Sequence, residues 1–542
     1  MAIISRIIPA VVGLLTGLLG NYLFLPAHTL RSPGFWWLIL ISVAIALIVQ
    51  FIIEYIMDDE FIGSIIYGVA TALVLVAMII CNCFGGKMFN ASEYQQLIEI
   101  TEGNFNEDVP KVEDTSKFAV VDLATAEKLG DRTVGGIKNA TWYEVDDEYN
   151  LIIKNGQQYR ISPLNYGGLF KYNKAKYIGI PAYVLVNTQT QKAEYVELDE
   201  AMKVSPSACF GQKLERVLRK QYPTFQFGTS YFEVDEQGNP YWITSVQTPS
   251  MGVWKAKLVT AVVITDAVTG ESEMYEVSEI PEWVDHVYPL DYLMTLVNYN
   301  FKYVNGYWNF SQTGVNRTTY SYRTSGSSDT PAFAGYNSAI TSDGQVVFFT
   351  GVTPANGAET NLGFILASPS TGVVKYYDCA GAEESSAQAA AEGLVQNLSY
   401  KATFPTILNV HGVETYFMAL KDGAGLVQRY ALCQVANYVN VVEATTLDEA
   451  LIKYKQKLGM VEEETAPVVE SSTVSGTVTS IYTAQVEGYT YYYFTLDDGA
   501  TLYMSSIVNN YRQVAMKVGD KVEVTFTGSQ EGVEMVSDIS IK

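Results

Sequence analysis

Histidine, cysteine and positive charge are all scarce in this chain, and beyond residue 84 so are long apolar runs. Histidine occurs only at His28, His286 and His411. None stands in a Cys/His cluster, a His-Glu-x-x-His helix or beside a Gly-x-Ser-x-Gly elbow, the spacings that carry metal or nucleophilic chemistry. Asp285 precedes His286, but adjacent residues do not face each other on a helix or a strand. The five cysteines, Cys81, Cys83, Cys209, Cys379 and Cys433, are odd in number and scattered, which excludes a disulfide framework. They read as small apolar side chains. Ser311–Ser328 is rich in Ser, Thr and Gly, but no Gly-Lys-Ser/Thr follows to make a phosphate cradle. Catalytic residues, metal ligands, cofactor-binding residues and cofactors are therefore all expected to be none, and the chain is expected not to be an enzyme. Neighbouring carboxylates such as Asp146/Asp147, Glu383/Glu384 and Asp497/Asp498 are expected to be solvated edges.

Lys and Arg number 35 against 58 Asp and Glu, a net charge of −23. Residues 1–86 hold only Arg6, Arg31, Glu54, Asp58, Asp59 and Glu60, so nearly all of that charge falls on the remainder. Such a surface repels phosphate, which excludes nucleic acid as a partner and argues against a peripheral polybasic contact with lipid.

What the chain does have is three apolar runs at its start, Ile7–Leu25, Phe35–Met57 and Phe61–Phe84. Each is about 19 to 24 residues, enough as a helix to cross a hydrocarbon core of about 30 Å. They predict a multi-pass region over residues 1–86 in the lipid bilayer. Gly13-x-x-x-Gly17, with Thr16 and Gly20 near the same face, has the spacing for close helix–helix approach. Gln50 and Glu54 share a face of the second run, where Glu54 is expected at the interface beside Asp58, Asp59 and Glu60.

The rest is rich in Tyr, Thr, Val and Gly with period-two runs, so it is expected to be a β-rich α+β region of several modules. Residues 87–198 read as an N-terminal β-rich region, with a hairpin turning at Thr188-Gln-Thr-Gln. An internal repeat follows. A helix over Ser207–Lys220 places Phe210, Leu214, Val217 and Leu218 on one face, and Tyr222-Pro-Thr-Phe breaks it before strands at Tyr231–Val234, Tyr241–Val246 and Leu258–Thr265. Ala387, Ala390, Leu394 and Val395 share a second helical face, followed by Thr403-Phe-Pro-Thr and strands at Ile407–Val410, Thr415–Leu420 and Leu426–Val435. The two copies set modules at 199–285 and 381–460, with a connecting β region at 286–380. Residues 461–474 read as an acidic linker, and 475–542 as a small OB-like β-barrel whose Tyr491, Tyr492 and Tyr493 cannot all share one face.

The run Val262–Tyr275, in which an apolar strand enters Asp266-Ala-Val-Thr-Gly-Glu and leaves again, resembles the closing hairpin of PepSY-type modules. Leu366–Tyr377, with Ser370-Thr-Gly, is similar. More broadly, residues from about 117 onward resemble an uncharacterised family of membrane-anchored proteins from gut Clostridia-type bacteria. The landmarks are Glu127-Lys-Leu-Gly-Asp-Arg132, Gln158–Gly167, Pro281–Pro289, Cys379–Glu384 and Thr415–Asp422. The PepSY resemblance implies an extracytoplasmic soluble region with binding or inhibitory roles and no catalytic residues to carry over.

From these readings the expectation is a non-enzymatic membrane-anchored scaffold or protein-binding protein of the cell envelope. It would self-assemble into a homo-oligomer through its soluble modules and contact other envelope proteins. A regulator or inhibitor of an envelope hydrolase is the alternative, and a transporter or channel component a third.

Overall fold

The apolar runs fold into α1 (Ala2–Phe24), α2 (Pro33–Met57) and α3 (Ile62–Cys83), three helices long and apolar enough to cross a membrane. The computed structural model describes residues 2–112, 121–134, 140–308, 317–319, 337–341, 344–354, 360–460, 472–486, 489–497, 499, 501–506, 513, 516–530 and 533–541. Most of the linker expected at 461–474 and of the loop at 311–328 lies outside these residues. The chain divides into two compact units, residues 1–454 and 455–542.

Glycine decides how α1 meets α2. A Cβ on Gly13 would stand 3.0 Å from the Ser42 carbonyl oxygen, and one on Gly20 only 2.6 Å from Leu38. The small-residue face is thus used within the chain, as the sequence spacing predicts. At the far end of α2, Glu54 is buried rather than at an open interface. Its carboxylate accepts from the backbone N–H groups of Gly63 (2.8 Å) and Ser64 (3.1 Å), the Ser64 hydroxyl and Gln50 Nε2 (2.8 Å). Because α3 has no cap from its own residues, Glu54 supplies one from the preceding helix.

After α3 come a short helix α4 (Ala91–Gln95), strand β1 (Ile100–Glu102) and a helical turn α5 (Phe105–Asp108). Four modules follow, each a helix and then an antiparallel meander. Module 1 is α6 (Leu123–Val134), β2 (Tyr143–Val145), β3 (Asn150–Lys154), β4 (Gln157–Tyr166), an inserted α7 (Leu169–Ala175), β5 (Ile180–Asn187) and β6 (Ala193–Met202). Module 2 is α8 (Leu214–Gln221), β7 (Phe227–Val234), β8 (Pro240–Met251), β9 (Lys255–Asp266) and β10 (Ser272–Glu276). Module 3 is α9 (Leu290–Lys302), β11 (Arg317–Thr319), β12 (Asn337–Ile340), β13 (Val346–Pro354), β14 (Thr360–Ala367) and β15 (Val374–Ala382). Module 4 is α10 (Glu384–Leu394), β16 (Lys401–Ala402), β17 (Thr406–Val410), β18 (Val413–Lys421), β19 (Val427–Gln434) and β20 (Val441–Ala444), closed by α11 (Leu447–Lys457).

The strand orders coincide: β6-β5-β4-β3, β10-β9-β8-β7, β15-β14-β13-β12 and β20-β19-β18-β17. In modules 1, 3 and 4 the outer strand is split in two. β2 and β3 share the edge of β4, β11 and β12 that of β13, and β16 and β17 that of β18. In module 2 it stays whole, with an irregularity between Phe227 and Ser230. The two modules expected from sequence are accordingly the second and fourth of a series, and residues 286–380, expected as a connecting region, form the third.

Sheet 3 carries apolar side chains on both faces. Phe348, Ile365 and Tyr376 pack on Leu293, Met294 and Val297 of α9. Their neighbours Phe349, Phe364 and Tyr377 pack the other way, against Ala387 and Ala391 of α10 and Tyr416 and Met418 of sheet 4. A strand buried on both sides needs an unbroken apolar run, which is how Val346-Val-Phe-Phe reads. The Ala face of α10 lets that helix lie between two sheets. Phe210 departs from expectation. The α-helix starts only at Leu214, and Phe210 sits in the preceding turn at φ 54°, more than half exposed.

The second unit contains β21 (Ser472–Val486), β22 (Tyr489–Leu496), β23 (Leu502–Ser506), β24 (Lys521–Gln530) and β25 (Val533–Ile541), closed as β21-β22-β23-β25-β24. Phe494, Val478, Val524 and Ile539 fill it, while Tyr491, Tyr492 and Tyr493 are each half-buried.

Candidate functional site: a cleft between modules 2 and 3

Two strands leave backbone edges open to the same space. β1 joins sheet 3 as its terminal strand, parallel to β15. β9 pairs with β10 only from Ala261 to Thr265, so its first half is laddered on the β8 side alone. Between them lies a cleft of about 370 Å³ walled by Ile98 and Thr101, by Leu258 and Val259, and by Val373. Tyr288, Tyr292 and Leu296 from the start of module 3 complete it. The rings of Tyr288 and Tyr292 stack at 6.3 Å, and the Tyr292 hydroxyl accepts from Val259 N–H at 3.2 Å. Burial raises the pKa of both phenols, so they remain neutral donors. Exposed Val373 and Glu99 stand at the rim. Chemically the cleft offers apolar walls, two phenolic hydroxyls and strand edges without a second ladder partner, the β9 edge already engaged at Val259 by Tyr292, which suit an extended peptide segment.

Behind the cleft, a polar cluster fixes the modules to one another. Glu233 on β7 is fully buried and accepts from the backbone N–H of Asp285 (2.9 Å), the N–H of His286 (2.8 Å) and His286 Nδ1 (2.8 Å). The His286 ring stacks on Tyr231 at 4.8 Å, and Asp285 accepts from Ile153 N–H of module 1 at 2.9 Å. Burial and the neighbouring Glu233 carboxylate push the Asp285 carboxyl above its ordinary value, against the pull of His286. Asp285 and His286 thus do not face each other, as expected, but both meet Glu233, a residue 52 positions earlier that no local spacing in the sequence points to. With His286 only 3% exposed, the cluster joins modules rather than meeting solvent.

The other histidines go elsewhere. His28 meets Asn21 at 2.7 Å, and His411 occupies a left-handed turn between β17 and β18. Among the described residues no group of three or more His, Cys, Asp or Glu is placed to hold a metal ion. None of the five cysteines stands in a disulfide. Glu383 and Glu384 correct the expectation of solvated carboxylate pairs: they are 3% and 0% exposed at the start of α10. Glu384 lies against Gly351, where any Cβ would fall 2.2 Å from Oε1. Burial drives its carboxyl up to about 7, partly offset by the backbone N–H groups of Glu384 and Gly351.

No family model matches the chain. No curated protein matches it either. Among solved structures it is similar to the crystal structure of an exo-1,5-alpha-L-arabinanase from a bovine ruminal metagenomic library, at 6% identity over 73% of this chain and 98% of that one, with a TM-score of 0.16. That neighbour is named as an arabinanase, and beside it the expectation that the chain is not an enzyme is withdrawn. At this TM-score the likeness carries no argument about fold or reaction, so no activity is assigned or denied on it.

Proposed function

We propose that the protein is a membrane-anchored binding protein of the cell envelope, whose cleft between modules 2 and 3 holds an extended segment of a partner protein. The observation that carries this reading is the pair of strand edges without a further strand partner, β1 and the first half of β9, facing a tyrosine-lined space. Backbone edges supply affinity without sequence demands, and the Tyr288/Tyr292 pair supplies selectivity for an apolar or aromatic side chain. The modules are PepSY-like in this reading, each a helix with an antiparallel meander, and the soluble region is extracytoplasmic. The terminal barrel is OB-like, a reading supported by its closure and strand order. The modules and helices also join copies of the chain into a homo-oligomer.

A photo-crosslinking residue at Val373, introduced into the full chain in its host membrane, tests the cleft. A discrete adduct that disappears with Leu258→Asp is the expected result. Absence of any adduct, or one indifferent to Leu258→Asp, removes the cleft from the reading. Protease treatment of intact cells tests the side: modules 1–4 are expected to be cut before the membrane is broken, and protection until lysis reverses the orientation.

A further inference from the structure

Against a chain with far more acidic than basic residues, two segments stand apart. Leu169-Phe-Lys-Tyr-Asn-Lys-Ala-Lys-Tyr-Ile178 carries three lysines and no carboxylate, and Phe210–Lys220 carries Lys213, Arg216, Arg219 and Lys220 against Glu215 alone. The same segments expose their largest apolar side chains: Phe170 and Tyr177 are each 84% exposed, with Leu169, Ile178 and Phe210 about half exposed. Exposed apolar residues scattered singly need no explanation, but five gathered among cations do.

They are gathered by specific bonds. Buried Tyr172, on the inner face of α7, donates to the Cys209 carbonyl at 2.8 Å and lies 2.8 Å from Gln212 Oε1. Gln212 Nε2 in turn donates to the Lys176 carbonyl at 3.3 Å. The rings of Phe210 and Tyr172 lie tilted to each other, centroids 6.4 Å apart. Of the carboxylates nearby, Glu144 is paired with Lys171 at 2.8 Å and Glu215 sits 3.4 Å from Lys213, while Lys174 and Lys220 are exposed.

The patch is also joined to the apolar helices. Arg216 lies over the Tyr22 ring at 3.9 Å, in the last turn of α1, and Arg219 Nε donates to the Leu25 carbonyl at 3.1 Å. Pro223 accepts from His28 N–H, and Gln226 donates to the Arg31 carbonyl. On the same side Trp36, at the start of α2, meets Trp254 edge-on at 6.2 Å. Helix α8 therefore sits where α1 ends, and the aromatic–lysine patch begins immediately before α8.

We propose that α7 with its following turn and the Phe210 turn form a bilayer-contact surface, in which Phe170, Tyr177 and Phe210 enter the headgroup region while Lys174 and Lys176 meet anionic phosphates. Exposed aromatics flanked by lysine are the composition that lies in a membrane interface. Continuity with the end of α1 fixes the occupant as the membrane in which the helices are seated. The net charge of the soluble region hides this surface, because charge acts on lipid only within a Debye length of about 8 Å.

Hydrogen exchange of the full-length protein in nanodiscs tests it, comparing phosphatidylcholine alone with phosphatidylcholine containing phosphatidylglycerol. Amides of 168–179 and 208–213 are expected to exchange roughly tenfold more slowly with the anionic lipid, and those of module 4 equally in both. Lys174→Glu with Lys176→Glu is expected to abolish the lipid dependence. Phe170→Ser with Tyr177→Ser, at side chains too exposed to support the fold, is expected to lower protection in both lipids. Equal exchange in the two nanodiscs and in the double-charge variant overturns the proposal. So does protection that rises with protein concentration rather than with anionic lipid, which would assign the patch to a second copy of the chain.

Discussion

Glu384 shows how far one residue can set the behaviour of a module. It is an acid enclosed between a helix and two sheets, and burial lifts its carboxyl to about 7 from an ordinary value of 4.5. Between those values the folded protein holds a proton that the unfolded chain has released, so stability falls as pH rises through this window and is level above it. The whole effect is on the order of 3 kcal/mol. Glu384→Gln is expected to flatten the fall in thermal midpoint between about pH 5 and pH 7.5 and to be the more stable protein at pH 8. Melting curves of both proteins across that range check this, and a parallel fall in the two would dismiss the buried acid as its source. Nothing in Cys379-Ala-Gly-Ala-Glu-Glu384 tells a reader that these acids are enclosed. What encloses them, Gly351 and Tyr416, lies on other strands. Glu54 is the opposite case: its face on α2 is legible from spacing, but its burial against the start of α3 is not.

At the scale of elements, one turn recurs in three modules. Asn187–Gln191, Asp266–Gly270 and Ser368–Gly372 each return the N–H of the fifth residue to the carbonyl of the first, at 3.1, 2.8 and 2.9 Å. The side chain of the first residue accepts from a following N–H in every case. The fifth residue is left-handed in each, at φ 58°, 79° and 73°. Glycine fills that position in modules 2 and 3, but module 1 has Gln191. Since a side chain there costs about 1 kcal/mol, Gln191→Gly is expected to stabilise module 1 by roughly that amount, while Gly270→Ala and Gly372→Ala destabilise theirs. Chemical denaturation of each variant measures it, and a destabilising Gln191→Gly would show that the side chain contributes more than its backbone costs. This turn is why modules 2 and 3 each left a mark in the sequence. Module 1 hid because α7 interrupts its meander and Gln191 replaces the glycine. In module 3 the closing hairpin is legible but the outer strand is not, because that strand is split into β11 (ending at Thr319) and β12 (starting at Asn337). Helix boundaries shifted for a related reason: Phe210 fits the apolar period of α8, yet a left-handed turn expels it.

For the molecule as a whole, the exposed strand edges bear on self-association. Edge strand β6 carries Glu194, Glu197, Asp199 and Glu200, and edge strand β10 carries Glu273 and Glu276. Two copies pairing these edges would set carboxylates against carboxylates, so such pairing is disfavoured. The outward faces of α1–α3, with Leu14, Leu18, Ile65 and Leu73 exposed, remain as contact surfaces. The detergent-solubilised particle is expected to be a multiple of 59.9 kDa, and a monodisperse monomer at high protein concentration would end the assembly reading. Soluble-region truncations beginning after Lys87 are expected to associate more weakly than the full chain. The grip of module 2 on the loop between α1 and α2 has a temporal side as well. Leu25 and Arg219 stand 194 positions apart in the chain, so the loop emerges from synthesis long before the residues that hold it. Closing a chain segment of that length costs about 5 kcal/mol of entropy if it is slack. Helices α2 and α3 together with module 1, complete by Met202, draw most of that slack into folded bodies before α8 is made. The order of modules along the chain thus becomes an order of events: insertion of the hairpin, folding of the first meander, then capture of the waiting loop by the second.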